Sequence, residues 1–334
     1  MFVLTNTNYQ RATFTGGNGV TSNLNGHGTT LCPSTANGCL SVAGAFIENV
    51  VGTAFADTLS GNPSKNKITG GAGNDSMLGE SGNDKMDGNL GDDQYFFTNN
   101  WGAETVLDTG GVDRIAWNNP ATTGPNLTVN LNSRDTSPEV TDGTNTINWS
   151  GNIIEDVQAG PGNDQVTLNS SNNTVVNVSG ADAYNGYGPG GPASGVDLIA
   201  DFGGSPDTLD LSNFNRAKTT FFFGNTGTGT PVIFLGIEFA DGSQIWLQDY
   251  FDGTSTNGCA NGPGIGLMEN IVFSDATMNF SAVQAKLGCS SAAGATGNTT
   301  ADSQTQPLTL KTHRLNTQDS FTGSNSGALS GIQR

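Results

Sequence analysis

Three consecutive nonapeptides, with no residue between them, constrain the fold of this chain more than any other feature. They run from Gly70 to Phe96 as GGAGNDSML, GESGNDKMD and GNLGDDQYF. Each has glycine at its first and fourth positions, aspartate at its sixth and a large apolar residue at its eighth. Glycine permits the positive φ angles and the close backbone approach of a tight turn. The pattern predicts a turn of six residues followed by a strand of three residues whose apolar side chain points inward.

The spacing of the aspartates predicts how these turns stack. Two nonapeptides complete one flattened coil, so loops on the same edge recur every 18 residues. Asp57, Asp75 and Asp93 are therefore expected on one edge and Asp84 on the other. Asn66 stands 18 residues before Asp84, and its amide offers oxygen without charge, so we expect a weaker site there. The predicted fold class is all-β, with parallel β-roll (β-helix) arrays.

The loops GGAGND, GESGND and GNLGDD resemble those of the RTX, or haemolysin-type calcium-binding, family, in which the repeat G-G-x-G-x-D-x-U-x builds a parallel β-helix. The stretches IENVVGTAFADTLSGN and GVDLIADFGGSPDTLDLS resemble the start and the end of such arrays. IEFADGSQIWLQDYF, with ENIVFSDATMNFSAVQ, resembles the haemolysin-type calcium-binding related region. The resemblance covers roughly residues 47–96 and 154–289. It implies parallel β-rolls, several bound calcium ions, a location outside the cell and type I export.

Calcium also suits these residues chemically. Ca²⁺ is a hard cation that takes about six to eight oxygen ligands, and carboxylates with loop carbonyls from adjacent coils supply such a set. Stacked aspartates repel one another without the ion, so we expect metal binding to be coupled to folding. The candidate metal-site residues are Asp57, Gly71, Gly73, Asp75, Gly82, Asp84, Gly91, Asp93, Asp113, Gly160, Gly162, Asp164 and Asp182.

A second, more eroded array follows at a constant offset of 107 residues. Asp164 corresponds at this offset to Asp57, and Asp182 corresponds to Asp75, whereas Gly191 stands where Asp84 predicts an acid. The shared offset indicates duplication of a whole lobe. Four acids beyond this array are either further ligands or solvated turn residues: Asp197, Asp201, Asp207 and Asp210.

These patterns predict four segments. Residues 1–118 form the first β-roll lobe, with the strongest nonapeptides, and residues 119–215 form the second, degenerate lobe. Residues 216–289 form a β-rich C-terminal domain, in which Phe280–Leu287 is predicted as a short helix. Residues 290–334 form a polar tail.

Composition narrows the possible partners. The formal net charge is −18 although only 13% of the residues are charged, which argues against nucleic-acid binding because that function needs a basic face. No apolar run approaches the ~20 residues that span a bilayer. The N-terminal stretch MFVLTNTNYQRATF lacks the basic and apolar regions of a cleaved signal peptide.

The cysteines suggest an oxidising location. Cys32 and Cys39 bracket a short loop, and Cys259 and Cys289 flank one C-terminal segment. We expect the disulfides Cys32–Cys39 and Cys259–Cys289. Free or metal-binding thiols are the alternative.

Signals of catalysis are absent from the sequence. It contains neither H-E-x-x-H nor G-x-S-x-G, and its two histidines, His27 and His313, are expected in loops. We therefore predict a non-enzymatic extracellular structural subunit. It is expected to assemble with copies of itself, since parallel coils end in strand edges that invite strand addition, or to bind cell-surface or matrix components. The alternative is a calcium-dependent folding and export module, or an adhesin fragment, of a larger type I secreted protein or hydrolase.

Overall fold

The computed structural model describes most of the region between residues 48 and 287. The described residues are 48–117, 124–132, 138–149, 154–187, 195–204, 206–225, 233–251, 263–264 and 267–287, with the backbone of five short strands between Val3 and Val42. They fall into two compact units. The first contains the residues up to Val129 and from 138 to Gly160, and the second contains Asn130–Asn132 and the residues from Pro161 to 287. No helix in this part of the chain is both long and apolar enough to span a membrane.

In the first unit, successive short strands of the array alternate between two sheets. The strands are β1 (Val3–Thr5), β2 (Arg11–Thr13), β3 (Val20–Asn23), β4 (Thr29–Pro33), β5 (Leu40–Val42), β6 (Asn49–Val51), β7 (Thr58–Ser60), β8 (Lys67–Ala72), β9 (Ser76–Leu78), β10 (Lys85–Leu90), β11 (Gln94–Phe97), β12 (Ala103–Leu107), β13 (Arg114–Trp117), β14 (Thr128–Asn130), β15 (Val140–Thr141), β16 (Thr146–Asn148) and β17 (Asp156–Gln158). One sheet has the order β1-β2-β6-β8-β10-β12-β16-β15-β14, and the other has the order β17-β13-β11-β9-β7-β3-β4-β5.

Strands of successive coils are parallel and in register at the spacing of the repeat. Met86 in β10 lies beside Ile68 in β8, and Tyr95 in β11 lies beside Met77 in β9. The apolar eighth residues therefore stack into two inward rows that are fully buried. The rows are Val50, Ile68, Met86 and Val106 in one sheet, and Leu59, Met77, Tyr95 and Ile115 in the other.

The second unit repeats this construction. Its elements are β18 (Gln165–Thr167), β19 (Thr174–Asn177), β20 (Ala183–Asn185), β21 (Val196–Asp201), β22 (Thr208–Leu211), a 3-10 helix (Arg216–Lys218), β23 (Thr220–Asn225), β24 (Ile233–Glu238), β25 (Gln244–Gln248), β26 (Asn270–Phe273), β27 (Thr277–Met278) and α1 (Phe280–Lys286). One of its sheets has the order β18-β20-β22-β26-β27, and the other has the order β23-β24-β25-β21-β19.

The C-terminal strands continue the sheets of this unit. β25 pairs parallel to β21, and β26 pairs parallel to β22. Helix α1 lies where the short helix is predicted, and Asn279 caps it by accepting the Ala282 N–H at 3.0 Å. The structure thus confirms the all-β class and the parallel β-roll.

Two groups of predictions lie partly or wholly outside the described residues. Cys39, Cys259 and Cys289 are outside them, as is the side chain of Cys32, so both disulfides stay predictions. The tail 290–334 is also outside them. The segment boundaries at residues 118 and 215 stay predictions as well.

Candidate metal centre

The aspartates of the first unit stack along one edge through hydrogen bonds between coils. The Asp57 N–H donates to Asp75 Oδ1 at 2.8 Å, and the Asp75 N–H donates to Asp93 Oδ1 at 2.7 Å. The Asp93 N–H then donates to Asp113 Oδ1 at 2.9 Å. On the other edge, the Asn66 N–H donates to Asp84 Oδ1 at 2.7 Å. These bonds fix one oxygen of each accepting carboxylate and leave the other oxygen for a ligand.

In four of the predicted aspartates, the second oxygen has no hydrogen-bond partner in the part of the chain that the structure describes. Among the described residues, Oδ2 of Asp75, Asp84, Asp93 and Asp182 is buried and accepts no hydrogen bond. None of these four carboxylates forms an ion pair with a described Lys or Arg. A buried acceptor without a donor is costly, and more so when it is charged. A cation bound at these oxygens removes that cost, so the residues present fit a metal ion.

Burial also changes how these acids titrate. Burial raises the pKa of Asp75 to about 8, and repulsion from Asp93 and Asp57 adds to the effect. Burial raises the pKa of Asp84 and of Asp93 to about 7. Without a cation, these carboxyls hold protons near neutral pH, whereas an adjacent positive charge favours the ionised form. Cation binding and proton release are therefore linked at these sites.

Glycines bring main-chain oxygens of one coil against the next coil. Gly91 has a φ of 128°, and a Cβ at this position would collide with the carbonyl oxygen of Gly73, one coil earlier. Gly71, with a φ of 129°, meets the carbonyl oxygen of Thr53 in the same way. Gly73 and Gly82 also have positive φ, but Gly160 and Gly162 are not among the described residues that do. The loops thus supply the close carbonyls that a calcium site needs.

The second unit has the same ladder of acids. The Asp164 N–H donates to Asp182 Oδ1 at 2.7 Å, and the Asp182 N–H donates to Asp207 Oδ1 at 2.9 Å. Burial raises the pKa of Asp182 to about 8 and that of Asp207 to about 7. On the other edge, Asp197 Oδ1 accepts the Asn173 N–H at 2.8 Å.

Of the four acids that the sequence leaves open, Asp197 and Asp207 thus belong to these ladders. Asp210 is exposed on strand β22 and accepts the Ser212 N–H at 2.8 Å.

Three glutamates extend the rows beyond the predicted set. Glu104 Oε2 accepts the Asp84 N–H at 2.8 Å, and its Oε1 is buried without a hydrogen-bond partner among the described residues. Glu155 accepts the Asp113 N–H at 2.9 Å, and Glu269 accepts the Asp207 N–H at 2.8 Å. The sequence pattern missed them because the spacing departs from 18 residues and glutamate replaces aspartate.

Two loops carry amides where the others carry acids. Asn66 Oδ1 accepts the Asn62 N–H at 2.7 Å, and Asn173 Oδ1 accepts the Asn169 N–H at 3.1 Å. In the second loop, Asn173 Nδ2 also donates to Asn169 Oδ1 at 3.0 Å. These amides donate as well as accept, so the loops satisfy their own polar atoms. They provide an internal contrast to the four aspartates whose buried Oδ2 has no hydrogen-bond partner among the described residues.

Comparison with known proteins identifies the array. A family model of the RTX calcium-binding nonapeptide repeat (4 copies) matches residues 42–77, 60–95 and 149–183. A search of curated proteins finds no match to the chain. The chain therefore carries RTX calcium-binding repeats, which bind Ca²⁺. Within the matched segments lie Asp57, Asp75, Asp84, Asp93, Asp164 and Asp182.

Proposed function

We propose that this chain is a secreted, non-enzymatic structural subunit whose folding depends on calcium and which assembles with copies of itself at a cell surface or in a matrix. The observation that supports it most directly is a set of four buried carboxylates, each with an oxygen that accepts no hydrogen bond and none in an ion pair with Lys or Arg among the described residues: Asp75, Asp84, Asp93 and Asp182. Once ionised, such carboxylates are stable only with bound cations. Calcium sites of extracellular modules work at about 10⁻⁴–10⁻³ M, so the medium outside a cell supplies the ion that the fold requires. Proteins with this repeat are typically secreted.

The placement of the acids supports a structural role. The described carboxyls with the most strongly raised pKa values, such as Asp75, Glu104 and Asp182, are at most 2% exposed. They face the backbone of neighbouring coils, so a substrate cannot reach them. Calcium bound there stabilises the coil instead of activating a reactant.

Strand β23 supports assembly between copies. It pairs with β24 through six residues, from Thr220 opposite Glu238 to Asn225 opposite Ile233. Among the described strands it is the last of its sheet. Its sequence, TFFFGN, contains no charged residue. An uncharged, aromatic edge strand is a template for strand addition by a second chain.

The second candidate function is a calcium-dependent folding and export module, or an adhesin fragment, of a larger secreted protein. The observation that favours it is the extent of the repeat match, which is limited to residues 42–95 and 149–183. This candidate predicts a calcium-loaded monomer, whereas the structural subunit predicts a polymer.

Size-exclusion chromatography with light scattering, in calcium, in magnesium and in chelator, separates the two. Large assemblies that form only in calcium support the structural subunit. A compact monomer in calcium that expands in chelator supports the module and contradicts self-assembly. The same size and shape in all three conditions contradicts calcium-dependent folding.

A pair of charged variants tests the edge itself. Thr220 is exposed on β23, the terminal strand of its sheet among the described strands. Thr220→Lys places a charge there and should abolish the assembly of the chain with copies of itself. Thr105 is exposed on β12, an interior strand, so Thr105→Lys is the matched control and should assemble normally. Equal assembly of both variants would contradict strand addition at β23.

A further inference from the structure

We propose that each unit contains a three-carboxylate cation centre that differs from the repeat loops and binds the tightest calcium ion of that unit. The centre of the first unit consists of Asp93, Asp108 and Asp113, and that of the second consists of Asp182, Asp201 and Asp207. The identity of the ion rests on the calcium dependence in the proposed function.

A shared motif outside the matched repeats supplies two of the three acids of each centre. It reads DTGGVD from Asp108 to Asp113 and DFGGSPD from Asp201 to Asp207, whereas the family match ends at residues 95 and 183. In each centre, carboxylate oxygens of the three aspartates lie within 4.8 Å of one another. All six side chains are buried except that of Asp108, which is half-buried. Both units therefore gather three acids at the point where their repeats end.

Each centre includes a carboxylate with an unpartnered oxygen. Asp93 Oδ2 and Asp182 Oδ2 are buried without a hydrogen-bond partner among the described residues, and these two residues are 0% and 1% exposed. In the first centre, a Cβ at Gly88 would overlap Asp93 Oδ2 and would lie 2.6 Å from Asp108 Oδ2. Oxygens of two carboxylates thus converge on a space that only glycine leaves open.

A tyrosine positions the third carboxylate in both centres. The Tyr95 hydroxyl donates to Asp108 Oδ2 at 2.5 Å, and the Tyr184 hydroxyl donates to Asp201 Oδ2 at 2.7 Å. Each tyrosine follows its row aspartate, Asp93 or Asp182, by two residues. The tyrosines are therefore positioning residues that orient the third carboxylate beside the row.

Charge explains why these centres should bind calcium most tightly. An ordinary step of the row, such as Asp75 to Asp93, places two carboxylates near an ion, whereas each centre places three. No described Lys or Arg forms an ion pair with any of the six aspartates. Calcium affinity rises with the charge of the ligand set. The two centres should fill first in a calcium titration and empty last in a chelator titration.

Calorimetric calcium titration of the full chain tests this inference. The parent should show a tightest class of two ions per chain. Asp108→Asn and Asp201→Asn should each weaken one of these ions by about tenfold or more, and the double variant should weaken both. Asp87→Asn is the matched control, because it removes the same charge next to Gly88 from the opposite face of β10, and it should leave the tightest class intact.

Four results would overturn the inference. A parent without such a two-ion class would do so, as would a double variant that retains it or an Asp87→Asn variant that loses it. If the double variant does not fold, Tyr95→Phe combined with Tyr184→Phe keeps every carboxylate and should still weaken the same two ions by about tenfold or more. Unchanged affinity in that variant is the fourth. A parent that binds no calcium, or folds without it, would instead refute the proposed function.

Discussion

In calcium-free solution, lowering the pH from about 8 to about 5 should stabilise the folded chain. Burial raises the pKa of Asp75, Glu104 and Asp182 to about 8 and that of Asp84 and Asp93 to about 7. In the unfolded chain, such carboxyls titrate near pH 4. The folded state therefore binds protons more tightly than the unfolded state. The resulting stabilisation is complete below about pH 4 and is lost as the pH rises through 7 to 8.

The expected change in the free energy of unfolding is large for a single carboxyl. Between its unfolded and folded pKa values, one carboxyl changes the free energy of unfolding by about 1.4 kcal/mol per pH unit. From about pH 7 to about pH 5, Asp75 alone should contribute about 3 kcal/mol. A typical domain has a total stability of about 5–15 kcal/mol. Neighbouring acids share protons along a row, so the whole row contributes less than the sum of its members.

Circular dichroism and tryptophan fluorescence of the dialysed chain measure the effect. The folded fraction should rise as the pH falls from about 8 to about 5. In calcium the trend should reverse, because protons compete with the ion for the same oxygens. In about 1 M salt, where the Debye length is about 3 Å, the acid stabilisation should persist because its source is buried. Loss of structure on acidification without calcium, or disappearance of the trend in salt, would refute the reasoning.

Three further predictions concern single elements of the array. Asp75→Asn combined with Asp93→Asn should lower the number of calcium ions bound and unfold the first unit at calcium concentrations that keep the parent folded. Unchanged calcium binding in calorimetry would contradict the stacked edge of aspartates. Gly91→Ala should lower the free energy of unfolding by about 2 kcal/mol or more, because it adds a collision to the strain of a positive φ. Gly143 has a φ of 90° and open space around it, so Gly143→Ala should cost about 1 kcal/mol. Equal melting temperatures of the two variants would contradict this. Met86→Ala removes a fully buried side chain and should lower the free energy of unfolding, measured with a chemical denaturant, by about 2–5 kcal/mol. A loss below about 1 kcal/mol would show that the inward row is not the core.

The sequence predicts the array wherever the coil length is constant. From Asp57 to Asp93 every step is 18 residues, and the hydrogen-bonded ladder follows it. Prediction fails where a coil contains an insertion. The antiparallel strands β14, β15 and β16 lie between Asp113 and Glu155, and β23 and β24 lie between Asp207 and Glu269. The backbone N–H of Asp113 still donates to Glu155, and that of Asp207 still donates to Glu269. This is because the coils pair again after each insertion, although the 18-residue period of the sequence is lost.

The amide loops show which property of a loop creates the need for calcium. Asn66 and Asp84 occupy successive coils of one edge, and the side-chain Oδ1 of each accepts a backbone N–H. Asn66 accepts that of Asn62 in its own loop, and Asp84 accepts that of Asn66 in the preceding coil. The amide can also donate, as Asn66 Nδ2 does to the Glu48 carbonyl at 3.5 Å, whereas the carboxylate can only accept. The coil geometry is therefore compatible with either side chain, and only the acid leaves a buried oxygen unpaired. It follows that the calcium capacity of each unit depends on the number of neighbouring acids along its edges, and not on the number of coils.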